Sequence, residues 1–223
     1  MNLLRLIIVL SLFCQISFCQ NSDFEEDIEN LLNAVGGTKF WKDAKGFHML
    51  EIAHYANLKL PLVREFWVDF QNPRILQKTY GNGANSTQAL NIDNGWTITK
   101  GQLEVWDDEK VNNWKSFWPG IPTRIFHLLA IKDPHLSYLV KEDRIDFFID
   151  NAFVVWISCD LNGNPVAYGR SNNHAETHFL GKIIKYGNLN LWDSAYEPGG
   201  QWWVQMIDYV LLNDFTIDFE SNQ

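Results

Sequence analysis

The sequence predicts an α+β domain: a large curled antiparallel sheet, with one helix at its start and a helical segment in its middle. Three observations predict it. Short segments of alternating apolar and polar residues recur along most of the chain, the signature of half-buried strands. They are joined by Asn- and Gly-containing turns of the kind that close hairpins. Only two stretches carry apolar residues at helical three- and four-residue steps.

The first helical stretch follows residue 20. Ser22 and Glu25 stand at capping-box spacing, and Asp23, Glu25, Glu26 and Asp27 crowd the first turns, where the helix dipole favours acids. Phe24, Ile28, Leu31, Leu32 and Val35 then form one apolar face, and Gly36-Gly37 supplies a left-handed stop. From Val63 to Phe70 the period changes to two, with Arg64, Phe66, Val68 and Phe70 on one side. Further strands are predicted over 48–56, 75–80, 87–92, 96–106, 144–149, 153–159, 166–170, 176–186, 201–212 and 215–219, roughly ten in all, more than a sheet carries without curling. Asp93-Asn94-Gly95 and Asn162-Gly163-Asn164-Pro165 mark hairpins. The interruption is 107–132, where Asp107 caps a helix running to Trp118, and Pro122 or Thr123 starts another bearing Ile125, Phe126, Leu128 and Leu129.

Composition narrows the classes of function. The 223 residues are 46% hydrophobic and 14% aromatic with a net charge of -9, enough apolar material for one self-sufficient domain over 20–223. An acidic chain without a basic run is a poor partner for nucleic acid or for an anionic membrane surface. Residues 1–19 read as an export signal, with Arg5 ahead of the apolar run Leu6–Phe13 and Ser17 and Cys19 at the small-residue positions before Gln20. Phe13 and Phe18 precede Cys14 and Cys19, where a lipoprotein signal wants a small residue, so a lipid anchor is not expected. The mature chain then keeps one cysteine, Cys159, in the apolar run Val154–Cys159, and forms no internal disulfide.

Catalytic motifs are sparse. There is no Gly-x-Ser-x-Gly elbow, phosphate loop, His-Glu-x-x-His or Cys-x-x-Cys. His174, Glu176 and His178 share one face of a strand and are the one metal-like trio. Without a fourth ligand, the solvated edge of a strand is the plainer explanation, so neither metal nor cofactor is expected. Asp107-Asp108 and Glu25-Glu26 belong to helix starts rather than to a glycosidase pair.

The apolar sides of the strands face the helices of 107–132, and a sheet this wide leaves room between them. The residues expected to line that hollow are Phe66, Val68, Phe70, Trp114, Trp118, Phe126, Val155, Ile157, Trp202 and Met206. The ten tryptophans also fit a second class, a secreted glycan-binding or glycan-cleaving protein. Trp202 and Trp203 are adjacent on one strand, so one of the two must face away from the concave side.

Glu29-Asn30-Leu31-Leu32-Asn33-Ala34-Val35-Gly36-Gly37, Gly95-Trp96-Thr97-Ile98, the turn Asp160–Pro165 and Tyr186-Gly187 occur in an order similar to that of the LolA-like, outer-membrane lipoprotein-sorting-like proteins common among exported proteins of the Bacteroidetes. The resemblance implies an unclosed antiparallel β-barrel with a helical lid. It further implies a periplasmic, non-enzymatic carrier of a lipid or acyl chain, working with envelope proteins.

Overall fold

The computed structural model describes residues 22–83, 85–171 and 177–219, leaving residues 1–19, His174 and Glu176 outside the described residues. Helix α1 (Ser22–Ala34) presents Leu31, Leu32 and Val35 to the core; the side chains of Ser22, Asp23 and Phe24, where the expected cap begins, lie outside the description. Gly36 and Gly37 follow at φ of 114° and 92°, a region that side chains with a Cβ rarely enter, and the chain reverses into α2 (Thr38–Asp43). Trp41 of α2 is fully buried, its indole donating to the Val35 carbonyl at 3.2 Å.

Six strands then run outward as a meander: β1 (Gly46–Tyr55), β2 (Leu62–Asp69), β3 (Arg74–Tyr80), β4 (Ser86–Asn91), β5 (Asn94–Thr99) and β6 (Gln102–Val105). The chain crosses over through α3 (Asp108–Phe117), a 3-10 turn at Trp118–Gly120 and α4 (Pro122–Ile131). It returns through β7 (Leu136–Val140), β8 (Ile145–Ile149), β9 (Ala152–Cys159), β10 (Pro165–Gly169), β11 (Thr177–Leu180), β14 (Ser194–Tyr196) and β15 (Trp202–Leu212). Between β11 and β14 a separate hairpin, β12 (Ile183–Tyr186) and β13 (Leu189–Trp192), leaves the sheet.

The result is one antiparallel sheet of 13 strands in the order β6-β5-β4-β3-β2-β1-β15-β14-β11-β10-β9-β8-β7. The two arms of the chain meet where the first strand pairs with the last, and the far edges, β6 and β7, stay apart. The fold is therefore α+β with an unclosed, half-barrel-like sheet and few helices.

Caps and turns locate the crossover. Asp107 accepts from the Lys110 amide at 2.9 Å and starts α3, while Pro122 occupies the first turn of α4, where a missing amide costs nothing. From Thr123 to Ala130 every residue of α4 is buried, because α1 and α2 cover it as well as the sheet. Its Arg124 donates from Nε to the Phe70 carbonyl at 3.0 Å, and its guanidinium lies 3.7 Å from the centre of the Trp118 ring. One continuous core joins α1, α2, α4 and the concave side of the sheet. Truncation to Ala of a wholly buried ring such as Phe126 typically costs about 3–5 kcal/mol.

Three strand expectations are corrected. The stretch 96–106 is two strands, because Lys100 and Gly101 take φ of 51° and 79° and turn the chain back on itself. The stretch 176–186 is also two, broken at Gly181-Lys182 and divided between the main sheet and the β12–β13 hairpin. Residues 215–219 form no strand: the tail crosses the outer face of the sheet, buries Phe219 against Leu76 and Ala89, and is held by the Trp96 indole donating to the Phe219 carbonyl at 2.9 Å. Arg74 lies over both the Phe215 and Phe219 rings, and its guanidinium is paired with the buried Asp69.

Candidate functional site

A cavity of about 740 Å³ lies between the sheet and the crossover helices. Strand alternation builds its floor: β1 contributes Phe47, Met49, Glu51 and Tyr55, β2 contributes Arg64, Phe66 and Val68, and β15 contributes Trp202, Val204 and Met206. A register shift between Leu50 and Glu51 in the β1–β15 pairing admits an extra residue, so that Tyr209 faces the cavity as well. The roof is the crossover, from Asn113, Trp114 and Phe117 through Gly120 to Thr123. Gly120 permits that approach, since a Cβ there would sit 2.5 Å from the Val154 carbonyl oxygen.

Of the residues expected to line the hollow, Phe66, Val68, Trp114, Trp202 and Met206 do so. The other five do not reach it. Phe70 stacks on His127 with ring centres 5.0 Å apart, and Phe126 meets Trp41 edge to face at 5.3 Å. Trp118 turns away to donate to the Asp69 carbonyl at 2.6 Å. Val155 and Ile157, at 0% and 1% exposure, belong to the solid core. The hollow thus lies under the crossover, over the strands on both sides of the β1–β15 junction, and reaches only the first turn of α4, at Pro122 and Thr123.

The cavity wall is more polar than an acyl-chain sleeve requires. Glu51 is only 4% exposed and is ion-paired with Arg64 across the β1–β2 pairing. Arg64 also donates from Nη1 to the Tyr55 hydroxyl at 2.7 Å, and its guanidinium stands over the Phe66 ring. Burial raises the Glu51 pKa above the ordinary carboxylate value, an effect Arg64 opposes. Tyr168, Arg170, His178, Ser194 and Glu197 line the same space from β10, β11 and the β14 end of the sheet. His178 stacks on Tyr168 at 4.8 Å and meets Trp202 edge-on at 5.4 Å; burial pushes the Tyr168 hydroxyl up to about 12. One sign of this was visible in the sequence, since Arg64 shares a strand face with Phe66 and Val68. Its acidic partner was not, because it comes from another strand.

Cys159 is half-buried, and burial together with the neighbouring Asp160 pushes its thiol up to about 12, so the nucleophilic thiolate is disfavoured. Among the described residues no group of three or more His, Cys, Asp and Glu side chains is placed to hold a metal ion. Also among them, no helix is long and apolar enough to cross a membrane. Compared with known proteins, the chain matches no family model and no curated sequence.

Proposed function

We propose that this protein is an exported, non-enzymatic carrier that holds a lipid or other largely apolar small molecule between its sheet and its crossover helices. The observation that carries the reading is the cavity itself. Its 740 Å³ falls inside the range of about 300–1,000 Å³ usual for small-molecule sites. Met49, Phe66, Trp114 and Trp202 remain only partly buried although they lie under a roof, so open space stands against their side chains. Residues 1–19, read as an export signal, put the carrier in the periplasm, where envelope proteins would load and unload it as in the LolA-like proteins it resembles.

Mass spectrometry of organic extracts of the natively purified protein tests this. A co-purifying lipid is the expected result, together with micromolar binding of an apolar fluorescent probe and a negative heat-capacity change as apolar surface leaves water. Neither extractable lipid nor probe binding would reject the reading.

The opposite face favours a second reading, a glycan-binding surface. Phe179, Tyr196, Trp203 and His54 stand side by side across β11, β14, β15 and β1, with Phe179, Tyr196 and Trp203 each more than a third exposed. It ranks second because the rings cover one another: His54 lies flat on Trp203 at 3.7 Å, leaving less open ring face for a sugar. Saturable binding to a polysaccharide panel would promote it.

A further inference from the structure

The cavity is divided along the strand direction. At the end where β1 begins, Phe47, Met49, Phe66, Val68 and Ile75 face one another, with Phe47 opposite Val68, Met49 opposite Phe66, and Val68 opposite Ile75. Two residues further along β1 the chemistry changes. Glu51 stands opposite Arg64, with Tyr55 beyond it and Arg170, Ser194 and Glu197 on the far side, while Gln77 on β3 lies back at the level of Phe66. One end suits a hydrocarbon, and the other offers hydrogen-bond donors and acceptors.

Where β1 faces β2 the charges cancel, since Glu51 is paired with Arg64. Among the described residues the other formally charged groups in the lining are Arg170 and Glu197, one of each sign. In a partly desolvated space an uncompensated charge is expensive, so an anionic or cationic head group would have to displace a partner or stay unpaired. A neutral group needs no such exchange. The buried Arg64 Nε–H finds no hydrogen-bond acceptor among the described residues, and the Glu51 carboxylate beside it is an acceptor. A hydroxyl, which both donates and accepts, complements the two at once.

We infer that the ligand is an uncharged amphiphile, a hydrocarbon chain bearing a hydroxylated head, with the head at Glu51–Arg64 and the chain among Phe47, Met49, Phe66 and Val68. The inference rests on the carrier reading and specifies its ligand class. Placing the hydroxyl on a charged pair also explains why the cavity wall contains a buried ion pair. Such a pair adds little to stability compared with apolar residues of the same volume.

The test titrates delipidated protein, at about pH 8 and below micelle formation, with decanoylglycerol, methyl decanoate and decanoate. These share a chain and differ in the head: hydroxylated, acceptor only, and anionic. Decanoylglycerol is expected to bind about tenfold or more tightly than either of the others, the usual reach of hydrogen bonds to charged groups. In the double variant Glu51→Leu/Arg64→Met, which removes both charges together and so leaves neither one buried alone, that advantage should disappear while methyl decanoate binds as before. Decanoate binding as tightly as decanoylglycerol would overturn the neutral-head inference and leave the carrier reading standing. A preference that survives in a folded double variant would remove Glu51–Arg64 as the head-group site. If none of the three binds, the carrier reading fails and this inference with it.

Discussion

His127 is kept neutral by its surroundings. It sits in α4 at 4% exposure, stacked on Phe70, with its Nδ1 2.8 Å from the Trp41 carbonyl oxygen, an arrangement that has the ring nitrogen donating. Burial lowers its pKa from the ordinary 6.5, the Trp41 hydrogen bond opposes this, and Arg124 and Lys45 add to the lowering. Since the unfolded chain takes up the proton first as pH falls, the stability tied to neutral His127 is complete above about pH 6.5 and is lost as pH falls through the lower folded value. Urea denaturation from about pH 7.5 down to about pH 5 should therefore show wild type losing stability relative to His127→Asn. A constant difference across that interval would mean that burial does not perturb the imidazole. Single residues were also where sequence reasoning was weakest. Alternation placed Phe66, Val68 and Trp202 on the cavity side, but the same alternation cannot separate a residue that lines a hollow from one such as Phe70, which is sealed by a helix. That distinction depends on where α4 comes down, a tertiary fact.

Elements were legible where local chemistry decides them. Asp107 and Pro122 announced the starts of α3 and α4 through capping and a tolerated missing amide, and the Asp160 carboxylate organises the β9–β10 turn by accepting from the Asn162 and Asn164 amides at 2.8 and 2.9 Å. What failed was division and the shortest strands. Lys100 at positive φ is not marked by residue type and the lone Gly101 beside it reads equally as a bulge, so two strands read as one. Strands β7, β13 and β14, of five, four and three residues, are too short for their alternation to show. The tail 213–219 alternates like a strand but packs its rings instead of joining the ladder. The contrast between hollow and solid parts of the sheet predicts how two strands answer to enlargement. Met49→Trp on β1 adds volume where space exists, so it should abolish probe binding and change stability by less than about 1 kcal/mol. Val155→Trp on β9 has no space to enter and should cost about 1–3 kcal/mol or more of folding stability. Chemical denaturation and probe titration of both variants check the pair. Equal destabilisation with probe binding intact in both would mean that the space beside Met49 is not the binding site.

At the scale of the whole molecule, the cavity exists because the chain returns to its own beginning. β1 pairs along its length with β15, from Gly46 opposite Leu212 to Tyr55 opposite Trp202, and this junction brings linings from the first arm (β1, β2 and β3) beside those of the second (β10, β11, β14 and β15). The crossover α3 and its 3-10 turn form the roof over both arms. A ligand at Glu51–Arg64 therefore lies on β1 and β2, beside β3 and β15 and beneath the roof, and a ligand on the outer aromatic row touches only β11, β14, β15 and β1. Anything that binds only the folded state suppresses opening of the parts it contacts, by about 2.7 kcal/mol when present at a hundred times its dissociation constant. Hydrogen exchange with saturating decanoylglycerol should accordingly slow the amides of β2, β3 and the roof, 113–123, as well as those of β1 and β15. The tail at 215–219, on the outer face, should exchange as in the free protein. Protection confined to β11, β14, β15 and β1, with β3 and the roof unchanged, would place the ligand on the outer face, and the aromatic row there, not the cavity, would be the functional surface.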